Sequence, residues 1–315
     1  MTRSRGPERA LSPDERDRYI VERLRLASEP VSGESLAGEL GMSRVALWKR
    51  VESLKAWGYG IEASRKGYVL VHDDGLAGWE LDAPGPVVLF DTVGSTMDEA
   101  RRLAGDGASS GTTVLALGQS AGRGRDRLSW ESPTGGLYLS VVLRSILPPS
   151  HAGALSLEAS LSTLRALESV GAADVSFRWP GDIVVPGNGP EPRKVGGVLL
   201  EAYGDIGAAD FYIVGIGLNT APDALTLRSA RRAELAAGIV RDLVSWSADP
   251  VLDASRWLPL APDPGRAFSM RYWNGERRVI TFRGFNERGD FLPSDGGPGV
   301  SIGECRPILY EGDSI

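Results

Sequence analysis

Near the start of the chain, apolar positions fall at helical spacing in three short segments and then switch to alternation. In residues 14–26, Ile20, Val21, Leu24 and Leu26 fall at roughly helical spacing. Glu29-Pro30 closes that segment, because the residue before a proline is driven out of the α region. Ser32 is placed to N-cap a helix over residues 33–40 that buries Leu36, Ala37 and Leu40. Gly41 suits the left-handed position that ends a helix. Ser43 caps a third helix over residues 44–57, with Val45, Leu47, Val51 and Leu54 as apolar anchors. Residues 58–70 read as a hairpin: Ile61 and Ala63 on one arm, Tyr68 and Leu70 on the other, and Ser64-Arg65-Lys66-Gly67 at the tip. Three helices and a basic hairpin predict a winged helix-turn-helix.

The pattern changes after residue 71. Residues 72–86 are rich in Gly, Pro and Asp and read as a linker. Apolar runs then predict strands over residues 87–90, 113–117, 135–143, 183–185, 193–201 and 211–216. Helices are expected from Met97 to about Ala104, over residues 155–170 and over residues 231–246. Strands outnumber helices, so a mixed sheet is expected rather than a doubly wound parallel one. The tail offers short strands at 279–282, 284–285, 290–292, 300–302 and 307–310 between Gly, Asp and Asn turns, which predicts a small SH3-like β-barrel. The expected class is α+β in four parts: residues 1–71, a linker at 72–86, a central body at 87–264 and a small domain at 265–315.

Composition narrows the function. The 315 residues carry a net charge of −6, yet residues 1–70 hold 13 Lys and Arg against 10 Asp and Glu. A basic head on an acidic body places a nucleic-acid contact in the head. There, Ser43, Arg44, Trp48 and Lys49 lie at the start of the second helix of the motif, the end that faces base edges and phosphates in a major groove. Arg65 and Lys66 at the hairpin tip would meet the DNA backbone or minor groove. The single cysteine, Cys305, excludes a disulfide framework and a Cys-based zinc site. His72 and His151 are the only histidines, which disfavours a His-based triad or metal site. No run reaches the roughly 18–20 apolar residues of a membrane helix, and the polar N-terminus lacks a secretory core, so a cytoplasmic location is expected.

Lysine usage singles out one position. Only four of the 35 basic residues are lysines, and Lys194 is the only one beyond Lys66. In a chain that prefers arginine, a lone lysine marks a place for a compact, mobile charge with three donors rather than a planar fork. Other candidates sit at element ends. Ser95 and Thr96 stand at a strand-to-helix junction, where simple helix capping is the plainer reading. The loop from Gly118 through Gln119, Gly122, Arg123, Gly124 and Arg125 to Arg127 combines glycines, which admit an anion to backbone N–H groups, with arginine forks for phosphate or carboxylate. It is neither a P-loop nor a dinucleotide fingerprint, because the required Gly-Lys and third Gly are missing.

Taken in order, the winged helix, Gly122-Arg123-Gly124-Arg125, Trp179-Pro180, Lys194-Val195-Gly196-Gly197 and a small C-terminal barrel resemble the bifunctional biotin protein ligases, also called biotin operon repressors. The resemblance spans about residues 15–309. It implies a biotin–[acetyl-CoA-carboxylase] ligase that joins biotin and ATP, with Mg²⁺, into biotinyl-5′-adenylate and transfers the biotinyl group to a lysine of a biotin carboxyl carrier protein. It further implies that the adenylate promotes homodimerisation and repression at operator DNA. Residue by residue, it implies Ser95, Thr96, Gln119, Gly122, Arg123, Lys194, Gly197 and Gly215 at biotin. Arg125, Trp130, Asp182 and Asn219 fall at ATP, and Lys194, Arg123 and Arg125 become the catalytic cations.

Three departures from the family pattern stand out. Gly181 replaces the Asn of Trp-Pro-Asn-Asp, Met97 replaces the Asn after Ser-Thr, and the loop reads Arg127-Leu128-Ser129-Trp130 where Gly-Arg-x-Trp is usual. A biotin-sensing DNA-binding regulator with little ligase activity is the alternative these departures leave open. A lipoate or octanoyl ligase is a second alternative, disfavoured by the winged helix.

Overall fold

The computed structural model describes residues 15–125, 128–172, 174–187, 192–205, 207–220, 231–262 and 265–307. The expected strand residues 308–310, and Arg127 of the loop, lie outside them.

The head forms as its capping signals predict. α1 (Glu15–Arg25), α2 (Gly33–Glu39) and α3 (Arg44–Ala56) pack Ile20, Val21, Leu24, Leu36, Leu47, Val51 and Leu54 together. Ser32 and Ser43 accept hydrogen bonds from the amides of Ser35 and Ala46, and Gly41 adopts φ +61° between α2 and α3. Two expected anchors point outward instead. Leu26 lies beyond the last turn of α1 and is exposed, and Val45 is 65% exposed. The reason for Val45 is angular: two residues before Leu47 is about 200° round the helix, opposite the Leu47–Val51–Leu54 stripe.

β1 (Tyr59–Ser64) and β2 (Gly67–Asp73) pair antiparallel, with Ser64 opposite Gly67, so Arg65 and Lys66 form the turn. Val31 and Tyr68 exchange both backbone hydrogen bonds at 2.9 Å, tying the hairpin to the entry of α2. Gly67 is required there, since a Cβ would run into the Val31 carbonyl.

The body is a seven-stranded sheet in the order β3-β4-β5-β9-β8-β7-β6. Its strands are β3 (Val87–Val93), β4 (Thr113–Gln119), β5 (Leu137–Leu143), β6 (Ser176–Arg178), β7 (Asp182–Val185), β8 (Arg193–Asp205) and β9 (Ala208–Leu218). β3 and β4 are parallel, joined by α4 (Thr96–Gly105), and every other neighbouring pair is antiparallel. The mixed sheet is therefore as expected. Both faces are covered: Val114, Ala116, Val142 and Ile213 pack with Met97 and Ala100 of α4. Leu115, Leu117, Leu139, Val141 and Val214 turn the other way, into the cluster that includes α5 (Ala152–Ser169) and α6 (Arg232–Ala248). Two-sided burial is why these strands read as nearly unbroken apolar runs.

Residues 74–81 are packed. Leu76 and Ala77 are fully buried in the cluster that runs from the head into the body. Around them lies a charged junction. Arg25 binds Asp73 and Glu80, Arg231 binds Glu80, and the Tyr59 hydroxyl donates to Glu80 at 2.7 Å. Burial and the Glu80 carboxylate hold the Tyr59 phenol well above its ordinary pKa.

The C-terminal strands β10 (Ala267–Tyr272), β11 (Arg277–Phe285), β12 (Phe291–Pro293) and β13 (Cys305–Pro307) form an antiparallel sheet in the order β12-β11-β10-β13. β10 is an addition to the predicted set. Its Phe268 and Met270 alternate inward soon after a Pro-rich stretch of sequence, which masks the short pattern. Phe291 packs 5.4 Å from Trp179 and joins this sheet to the body.

Candidate functional site

The candidate residues gather at the ends of β3, β4, β8 and β9. At the β3–α4 junction, the backbone N–H and hydroxyl of Thr96 both donate to Gln119 Oε1, at 2.8 and 3.1 Å. Gln119 Nε2 donates to Ser132 Oγ at 2.8 Å, and Ser140 Oγ donates to Thr96 Oγ1 at 2.8 Å. Four polar side chains from two strands, the first turn of α4 and a loop are thus locked together. Ser95 behaves differently. It occupies the N-cap position, but its hydroxyl makes no capping bond and is buried with no partner among the described residues. The capping reading fails for it, and a buried hydroxyl left unsatisfied costs roughly 1–3 kcal/mol unless a ligand meets it.

The Gly-Arg loop folds back on itself. Trp130 N donates to Gly122 O at 2.8 Å, and Gly124 N to Leu128 O at 2.7 Å. A Cβ on Gly122 would collide with the Trp130 carbonyl and stand 2.8 Å from Ser132 Oγ. The tight turn therefore explains that glycine without any ligand. Arg123 is held by two carboxylates: Nη2 reaches Asp98 at 2.8 Å and Nη1 reaches Glu201 at 3.0 Å. Arg125 is turned toward the C-terminal segment, where Nη2 donates to Ile302 O at 2.9 Å.

Lys194, Asp182, Trp130 and Gly197 come together. Lys194 Nζ lies 2.6 Å from Asp182 Oδ1 and 5.2 Å from the Trp130 ring centroid. Asp182 is oriented from its other oxygen by Arg178, at 2.9 Å. A Cβ on Gly197 would sit 3.6 Å from Lys194 Nζ, and one on Gly217 only 2.6 Å from Trp130 Nε1, so the indole lies directly against β8 and β9. Gly215 is covered by Met97, whose sulfur would stand 2.7 Å from an added Cβ. Asn219 Oδ1 is buried with no hydrogen-bond partner among the described residues. Sequence reasoning missed the residues that hold these groups: Asp98, Glu201, Ser132, Ser140 and Arg178. Strand alternation from Gly197 to Glu201 was a signal for only one of them.

Gly181 has a structural reason. Val198 N donates to Gly181 O at 2.7 Å, and a Cβ on Gly181 would stand 2.8 Å from Val198 O. The backbones of residues 181 and 198 are too close for a side chain. Gly181→Asn is therefore expected to cost about 1–3 kcal/mol through overpacking and to leave ATP affinity no tighter. Urea unfolding and an ATP titration test this. Tighter ATP binding with an unchanged unfolding midpoint would overturn it.

The head presents a second surface. Arg44, Trp48 and Lys49 are exposed on α3, and Arg65 and Lys66 at the hairpin turn. Ser43 shares that edge, but its hydroxyl is engaged in the cap. A cleft of about 540 Å³ between α3 and the turn is lined by Arg44, Trp48, Arg65 and Lys66.

Known proteins share both parts. The biotin/lipoate A/B protein ligase family matches over residues 89–219, and a helix-turn-helix domain over residues 16–69. The bifunctional ligase/repressor BirA of Bacillus spizizenii is 34% identical over 202 residues, which are 61% of this chain and 61% of that protein. The biotin–[acetyl-CoA-carboxylase] ligase of Mycobacterium tuberculosis is 30% identical over 201 residues, 56% of this chain and 70% of that one. Among solved structures, the biotin protein ligase from Aquifex aeolicus in complex with biotin and ATP aligns with a TM-score of 0.50 at 23% identity. That alignment covers 71% of this chain and 96% of the other, and it bears on the fold alone. The match to the Bacillus protein thus spans 61% of that relative's length.

Proposed function

This chain belongs to the biotin/lipoate A/B protein ligase family, and from that premise we propose that it is an ATP-dependent biotin protein ligase that also represses transcription. Biotin's carboxylate attacks the α-phosphorus of ATP and displaces pyrophosphate. The ε-amine of a carrier-domain lysine then attacks the acyl carbon of the mixed anhydride and expels AMP. The observation that carries this reading is the Lys194 cluster: a partly exposed ammonium held at 2.6 Å by Asp182 against Trp130 and Gly197.

Two anions must meet in the first step, so positive charge is the main requirement. Lys194 supplies it to the phosphate and acyl oxygens, with Arg178 and Asp182 fixing its position. Arg123, anchored by Asp98 and Glu201, adds a second cation at the junction. Ser95 Oγ offers a hydrogen-bonding group to the polar end of biotin. Asn219 Oδ1 offers an acceptor to the nucleotide, and Arg125 would reach it only by leaving the Ile302 carbonyl. No nucleophilic side chain is needed, in keeping with a chain of one cysteine and two histidines. Among the described residues no three His, Cys, Asp or Glu side chains converge as a metal site. Magnesium would arrive on the ATP phosphates, with Asp182 as the nearby carboxylate. When bound, it would neutralise the departing pyrophosphate.

The test is to mix the chain with biotin, MgATP and a biotin carboxyl carrier domain and read the carrier's mass. A gain of one biotinyl group that requires ATP is expected. No gain, with biotin still bound, would favour the sensing regulator.

For the head, biotin with MgATP is expected to promote a homodimer and tighten binding to a duplex selected from a random pool. For about eight phosphate contacts, affinity should fall on the order of 10³–10⁵-fold between about 50 and 200 mM salt. Fluorescence anisotropy measures both effects, and affinity indifferent to the adenylate would sink the corepressor reading.

A further inference from the structure

Val45 and Trp48 stand 65% and 52% exposed on the outward face of α3. Residues 45, 48 and 49 are at i, i+3 and i+4, so they form one stripe, opposite the buried Leu47–Val51–Leu54 stripe. The stripe begins at the N-terminal turn, beside Arg44. It faces the cleft whose other wall carries Arg65 and Lys66. Two large apolar side chains therefore stand among four positive ones, Arg44, Arg65 and Lys66 in the cleft and Lys49 on the same stripe of α3, against one carboxylate, Glu34, that also lines the cleft. An apolar protein partner would leave those charges unanswered, whereas a polyanion with an apolar feature at its centre answers both.

We propose that Val45 and Trp48 read the 5-methyl groups of thymine on the floor of the major groove, while the surrounding cations hold the phosphates. This rests on the DNA-binding reading above and deepens it. In B-DNA the thymine methyl is the apolar feature among groove-edge donors and acceptors. Valine presents two branched methyls held in few rotamers, and tryptophan a flat face. Valine has no hydrogen-bonding group and tryptophan a single donor, so contact with the methyl is what the pair has to select thymine, and the amino group of cytosine finds no acceptor on either side chain.

The experiment uses the full chain with biotin and MgATP. A duplex is selected from a randomised pool, and each thymine is then replaced by deoxyuridine, which lacks only the methyl. Affinities are read by anisotropy at one salt concentration. The unmodified chain should lose about fourfold per critical methyl, the worth of one buried CH₂ group, at one or two positions in each half-site. Val45→Ala and Trp48→Ala should each abolish the thymine-over-uracil preference at one of those positions and leave the salt slope unchanged. The ratio of the two affinities does not depend on how much of a variant is folded. A sharply selected duplex bound equally with thymine or uracil would overturn the proposal while leaving DNA binding intact. Variants that weaken both duplexes equally would assign the two residues a merely structural part and also overturn it. Selection of no duplex at all would remove the DNA-binding reading itself, and the proposal with it.

Discussion

Lys194→Ala should lower the single-turnover rate of biotinyl-adenylate formation by roughly 10²–10³-fold, the usual loss when one preorganised electrostatic stabiliser is removed. The ammonium sits at the start of β8, opposite Val184 across a bulge in the β7–β8 pairing that lets Asp182 face it. In the proposed reaction its charge would act on oxygens whose negative charge grows only as the phosphorus–oxygen bond forms, so kcat and kcat/KM should fall together. Lys194→Arg should restore binding of the anions more than the rate. A planar fork cannot place one point charge in the narrow space between Trp130 and Gly197. Stability is not the cause of the loss: Asp182 keeps Arg178 at 2.9 Å, and the partly exposed pair contributes little to folding. Rapid-quench measurement of pyrophosphate release, with a urea melt in parallel, checks the expectation. A rate within tenfold of the parent would place the transition-state charge on other residues.

Arg232→Ala should destabilise the chain by about 3 kcal/mol, near the lower end of the range for breaking a buried ion pair from one side. Arg232 is the first residue of α6 and only 3% exposed. Its amide and Nε bind the two oxygens of Asp74 at 2.8 Å, Nη2 binds the Asp74 carbonyl at 2.8 Å, and Nη1 binds the Gly136 carbonyl at 3.0 Å. One guanidinium thus joins the segment after the hairpin, the entry to β5 and the start of α6. Gly58, at φ +100°, leaves the space it fills, since a Cβ there would collide with Nη2. Truncation strands a carboxylate and two carbonyl groups. Residual water access to Asp74, whose side chain is 24% exposed, keeps the cost from reaching the upper end. Urea unfolding should show the earliest transition at lower denaturant, and limited proteolysis should cut within residues 70–86 faster than in the parent. A loss below about 1 kcal/mol would show that the neighbouring Arg25–Glu80–Arg231 pairs carry the junction instead.

Much of the fold was legible in local chemistry. The serines before α2 and α3, the glycine between them and the two-residue basic turn each act within four residues, which is the range over which caps and turns are encoded. The body's strands were legible because two-sided burial leaves long apolar runs. What escaped was orientation within a helix and anything set by distant partners. Val45 looked like core because it is apolar and near Leu47; the helical step already sets it opposite Leu47, Val51 and Leu54, and the packing of α3 against α1 and α2 decides which of the two sides is buried.

The candidate site divides the same way. The sequence alone determined which residues were chemically singular: a lone lysine in an arginine-rich body, a glycine-arginine loop, a hydroxyl pair at a strand end. Only the tertiary structure decided how they are used. It gave Arg123 its carboxylates, one 25 and one 78 residues away, turned Arg125 to Ile302 177 residues on, and left Ser95 Oγ buried without a partner among the described residues. Caps, turns and alternation are written by neighbours along the chain. Ion pairs across a sheet depend on strand order and register, which no short stretch of sequence contains.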